Sequence, residues 1–127
     1  MPFERGTGPG GAGGEQRAWG PLSGQSSWAP VHITGTNTSG AHTVHTAPNR
    51  GFDRVWVWAN CTHTAAVLLS LEWTGAGVTK QLDFSITNDT RDDPVVDGWL
   101  LGGGATLKAF AATTAVINLV GYRLRYD

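Results

Sequence analysis

Residues 53–60 read Asp53-Arg54-Val55-Trp56-Val57-Trp58-Ala59-Asn60. Val55 and Val57 alternate with Trp56 and Trp58, and a period of two is that of an extended strand whose side chains point to opposite faces. The longest apolar run follows at 65–74, AAVLLSLEWT, where Val67, Leu69, Leu71 and Trp73 share one face. Gly75-Ala76-Gly77 turns this run into VTKQLDFSI at 78–86. Working outward, VHITGT (31–36), AHTVHT (41–46), PVVDGWLL (94–101), ATLKAFAA (105–112) and AVINLVGYRLRYD (115–127) are similar short runs, separated by Gly, Asn, Pro and Ser clusters. No stretch carries apolar residues at helical spacing over a helical length.

The chain is therefore predicted to be all-β, with eight strands over residues 31–127 folded as a two-sheet β-sandwich of jelly-roll or Greek-key type. Val55, Val57, Val67, Leu69, Leu71, Ile117 and Leu119 are the predicted core. Composition agrees: 18 glycines and only 15% charged residues suit short strands better than long helices.

Residues 1–30 differ in texture. Eight glycines and four prolines interrupt any period, yet Phe3, Trp19, Leu22 and Trp28 stand at wide intervals. Such a segment buries too little of its own surface to order alone. It reads either as a flexible tail or as an extended Gly/Pro-rich arm, removable from the folded body, whose large side chains dock on a neighbour. The second reading makes Phe3, Trp19, Leu22 and Trp28 partner-binding residues.

The net charge of −1, with basic residues scattered among acidic ones, gives no electrostatic footprint for nucleic acid. No apolar run approaches the ~18 residues of a membrane helix, and no secretory signal opens the chain. Cys61 is the only cysteine, which excludes an intrachain disulfide and fits assembly in a reducing compartment, the cytoplasm of the producing cell. It is predicted to be a buried, free thiol.

Nothing in the sequence assembles a catalytic set, so the chain is predicted not to be an enzyme. Ser, His and Asp residues are present without a nucleophile elbow or a spacing that sets a nucleophile beside a base. His42, His45, Cys61 and His63 are the soft-ligand candidates for a metal. His42 and His45 lie an odd number of positions apart and point to opposite faces of a regular strand, converging only across a bulge. They are read as surface or turn histidines. Asp89, Asp92, Asp93 and Asp97 crowd one loop without the order of a calcium-binding loop, and are read as solvated. No cofactor and no metal are expected.

Six tryptophans are many for this length. Trp56 and Trp58 share a strand face and admit two readings: core or protein-interface anchors, or a platform for sugar rings. No polar cluster accompanies them, which favours the first.

From His42 to Arg125 the chain resembles small virion proteins of tailed phages, of the capsid decoration (cement) and head-fibre type. The likeness rests on His45-Thr46-Ala47-Pro48 before the turn at Gly51, the strand Val55–Asn60 ending in Asn-x-Thr, and the apolar strand at 66–73. It continues with Leu101-Gly102-Gly103-Gly104-Ala105-Thr106-Leu107-Lys108-Ala109 and the closing Val120-Gly121-Tyr122-Arg123-Leu124-Arg125. Ala105 stands where such proteins commonly carry an acidic residue. The resemblance implies a structural protein on the capsid surface of a virion, bound to the major capsid protein, self-associated as a homotrimer, and without catalytic residues.

Overall fold

In a computed structural model, residues 17–88 and 93–126 are described. They form two antiparallel sheets around one core. Among the described residues nine strands are present: β1 (Arg17–Pro21), β2 (Val31–Ile33), β3 (His42–Thr46), β4 (Phe52–Cys61), β5 (Val67–Gly75), β6 (Val78–Ile86), β7 (Val96–Gly102), β8 (Thr106–Ala111) and β9 (Ile117–Tyr126). The sequence predicts eight; the additional strand, β1, lies in the stretch read as an arm. One 3-10 turn, Thr38–Gly40, is capped by the Asn37 side chain.

The five-stranded sheet runs β1-β9-β4-β7, with β2 also paired to β9, and the four-stranded sheet runs β3-β8-β5-β6. β1 lies along Tyr122–Tyr126 of β9 and β2 along Ile117–Leu119, end to end on the same edge. Between them the Gly121 amide has no strand partner on that side, and it donates to the buried Gln25 Oε1 at 3.1 Å. An edge N–H that would otherwise be buried unsatisfied is thereby paired.

The seven predicted core residues are all buried, together with Leu22, Ile33, Val44, Ile86, Leu101 and Leu107. Alternation selects them. In β4 the inward positions Asp53, Val55, Val57, Ala59 and Cys61 are buried, while Phe52, Arg54, Trp56, Trp58 and Asn60 face outward. Trp73 of β5 and Trp99 of β7 close the gap between the sheets, their rings stacked at 5.1 Å.

Two expectations are corrected. Leu22, predicted to dock on a partner, is fully buried in this core. The β1–β9 ladder brings it there, and an apolar side chain at that point gains more from the core beneath it than from an external pocket. His45, predicted to lie on the surface or in a turn, is 1% exposed. A β-bulge between Thr43 and His45 shifts the register of β3 against β8, which changes the facing that simple alternation assigns.

Candidate functional site

The outer face of the five-stranded sheet carries an aromatic ladder in two groups of rings, separated by the Arg54–Leu124 pair. Trp56 and Trp58 of β4 flank Tyr122 of β9, with ring centroids 5.1 and 5.8 Å from it and both pairs stacked. Trp19 of β1 reaches the same group, 5.9 Å from Trp56 and 5.3 Å from Tyr122. At the other end Phe52 stacks on Tyr126 at 4.6 Å. Pair register produces this: Trp56 is directly opposite Tyr122, and Phe52 opposite Tyr126, so each ring meets a ring across the ladder. Leu124, opposite both Trp19 and Arg54, is nearly covered although it sits on the outer face.

Gly121 lets the two central strands approach closely beneath these rings. A Cβ there would collide with the Trp56 carbonyl oxygen and lie 3.0 Å from the Val57 Cα. The outer face of the four-stranded sheet is different in kind. There Ser70 donates to Asp83 at 2.8 Å, Thr38 donates to Glu72 at 2.9 Å, and Glu72 pairs in register with Lys108.

Ring orientation decides what the ladder can do. One face of Trp56 and one face of Trp58 are turned toward Tyr122, and all three rings are half-buried. Stacking a sugar requires an open ring face. A half-buried group of rings packed on one another suits packing against apolar side chains of a protein. Trp19, 62% exposed, and Leu100, 49% exposed, continue the group toward both sides of the sheet.

Of the residues predicted to bind a partner, Trp19, Trp56 and Trp58 are brought together on this face. Trp28 is exposed in the β1–β2 connection, with a positive φ of 71°, and Phe3 lies outside the described residues. Sequence reasoning did not single out Tyr122, the ring at the centre. Its signal was available: Tyr122 has the opposite parity to Ile117 and Leu119, which alternation places inside.

A second constellation lies between the sheets. Asp53 accepts from Arg125 Nε at 2.9 Å and Nη2 at 3.0 Å, and its Oδ2 lies 2.6 Å from His45 Nε2. The Ser23 backbone N–H donates to His45 Nδ1 at 3.0 Å. Because Nδ1 accepts, the imidazole proton is on Nε2 and is donated to Asp53. Burial lowers the His45 pKa against the upward pull of Asp53. Burial would raise Asp53, but hydrogen bonds from Arg125 and His45 outweigh it and hold the carboxyl below its ordinary range. His45 and Asp53 resemble two members of a hydrolytic triad, but Nδ1 is occupied by the Ser23 backbone amide, and the Ser23 hydroxyl accepts from the Thr46 N–H. Cys61 is buried, and the nearest acceptor to its Sγ is the His63 carbonyl at 4.0 Å. Among the described residues no three His, Cys, Asp or Glu side chains converge as a metal site. Neither a protein-family model nor a curated protein matches this chain.

Proposed function

We propose that this protein is a structural virion component, a capsid decoration (cement) protein made in the host cytoplasm, which binds and stabilises the major-capsid lattice through its aromatic face. The observation that carries the reading is the Trp19–Trp56–Tyr122–Trp58 ladder. Aromatic residues gathered half-buried on one outer sheet face are the composition of a protein contact. The sequence resemblance to cement proteins supplies the kind of partner, and with it homotrimeric assembly on the capsid surface.

The strand order supports a jelly-roll sandwich. With β1 and β2 taken as one broken strand along β9, the chain has eight strand positions, and their order in the two sheets is first-eighth-third-sixth and second-seventh-fourth-fifth. That is the jelly-roll order, common among capsid-associated domains. The alternative, a head-fibre or tail-associated module that binds carbohydrate through Trp56 and Trp58, is less favoured because one face of each ring is turned to Tyr122 and both rings are half-buried.

The test is to purify particles from the organism that encodes the chain and to resolve the protein on them. Stoichiometric copurification with the major capsid protein is expected, and Trp19→Ala should weaken it while leaving the fold intact. Particles that lack the protein, or purified protein that binds glycans and not capsids, would overturn the reading.

A further inference from the structure

Ser23, Gly24 and Gln25 join β1 to the body through a small set of bonds concentrated on β3. The Ser23 N–H donates to His45 Nδ1, the Thr46 N–H donates to Ser23 Oγ at 2.7 Å, and the Gly24 N–H donates to the Val44 carbonyl at 2.9 Å. The fit is close: a Cβ on Gly24 would strike the Thr43 carbonyl. His45 is thus one of the side chains that fasten the segment, beside the buried Leu22 and Gln25, and it does so only with Nδ1 unprotonated.

We propose that His45, Asp53 and Ser23 form an acid-sensitive latch, in which protonation of His45 at Nδ1 releases Ser23 and Gly24 from β3 and loosens the N-terminal strand. A proton at Nδ1 sets an N–H against the Ser23 N–H, so an attractive contact becomes a repulsive one inside the protein. The charged groups facing His45 are Asp53 of β4 and Arg123 and Arg125 of β9. Asp53 favours the imidazolium, but its carboxylate is already engaged by Arg125, and both arginines oppose a further positive charge. Opening moves the imidazole toward water, where it titrates at its ordinary value. The open form therefore binds the extra proton more tightly, and acidification below pH 6.5 shifts the balance toward it. Downstream of the latch is Trp19, whose place in the aromatic ladder depends on β1 staying paired. Acid would then remove one ring from that face, a consequence independent of what the face binds.

The experiment uses the full chain and NMR-detected amide exchange, with His45 side-chain nitrogen shifts followed in the same samples. As His45 titrates, protection at Ser23, Gly24 and Thr46 is expected to fall about tenfold or more, while central β4–β9 amides keep theirs. His45→Gln, whose amide can accept from Ser23 and donate to Asp53 without titrating, should keep the segment protected at acid pH. Should that variant not fold, the wild-type titration decides alone. Unchanged Ser23 protection through the His45 titration would overturn the latch. So would a His45 that stays neutral until the whole core unfolds.

Discussion

Leu22→Ala separates an arm from an integral part of the body. Leu22 is fully buried among core residues of both sheets. The substitution removes three carbons, a transfer loss of about 2.4 kcal/mol at about 0.8 kcal/mol each. The cavity left behind brings buried Leu→Ala changes to about 2–5 kcal/mol. Against a typical domain stability of about 5–15 kcal/mol, that is a large fraction. With a urea m-value of about 2 kcal/mol per M, a 3 kcal/mol loss lowers the unfolding midpoint by about 1.5 M. Equilibrium urea unfolding followed by far-UV circular dichroism reads this, with Leu22→Met as a control expected to lose less than about 1.5 kcal/mol. A midpoint shift below about 0.3 M would refute the reasoning. It would mean that residues 17–25 undock before the sheets unfold and contribute nothing to global stability. The same structural facts predict that deleting residues 1–28, which removes β1 and Leu22 together, destabilises the body instead of leaving it intact.

Gly121→Ala should cost about 3 kcal/mol or more, since the added methyl meets backbone of β4 and not a side chain that can turn away; thermal unfolding measures it, and a loss within about 0.5 kcal/mol would be inconsistent with the close approach. Asp53→Ala leaves the buried His45 Nε2–H without its acceptor and should cost about 1–3 kcal/mol, read by urea denaturation at neutral pH. Stability should decline as pH falls below 6.5, because unfolded His45 takes up a proton that the folded site resists, and again below 3.8, as Asp53 is protonated and loses its partners; chemical denaturation at a series of pH values checks the sign, and His45→Gln should flatten the upper limb. Cys61, 2% exposed, should react with a thiol reagent only as fast as the protein opens, so rapid quantitative labelling of native protein would contradict its placement.

The core was legible because β4 alternates strictly and the apolar positions Val67, Leu69 and Leu71 of β5 and Ile117 and Leu119 of β9 recur at a period of two: choosing Val55 and Val57 as inward fixes Ala59 and Cys61 as well. The same parity places Asp53 inside, a signal in the sequence that goes unread when carboxylates are assigned to the surface. Its partners were not legible. Arg125 is 72 positions away, and His45 comes from the other sheet. β1 was hidden for a different reason. Arg17-Ala18-Trp19-Gly20-Pro21 has no apolar period, and it is a strand because β9 offers an open edge and Leu22 is drawn into the core behind it. Long-range pairing of that kind overrides local propensity.

The two faces of β4 and β9 also explain why the ladder is where it is. Inward positions along β4 carry small side chains, Val55, Val57, Ala59 and Cys61, because the opposing sheet supplies Leu69, Leu71 and Leu107 to fill a shared layer about 10 Å thick. A tryptophan at Val57 would overpack that layer. Outward positions have no such limit, yet stability alone would favour polar residues there, as on the four-stranded sheet. Instead Phe52, Trp56, Trp58, Tyr122 and Tyr126 occupy them in register. Aromatic pairs contribute only about 0.5–1.5 kcal/mol each beyond their burial, and the body already holds a closed apolar core. Rings left half-open on one face are more than that core requires, and the partner contact proposed above would account for the surplus. Replacing Trp58 and Tyr122 with threonine, a β-branched polar residue suited to an exposed strand, therefore separates the two roles. Loss of the three ring pairs should lower thermal stability by about 1.5–4.5 kcal/mol, while association with the proposed partner surface is lost. A double variant that unfolds outright would place these rings in the structural core instead.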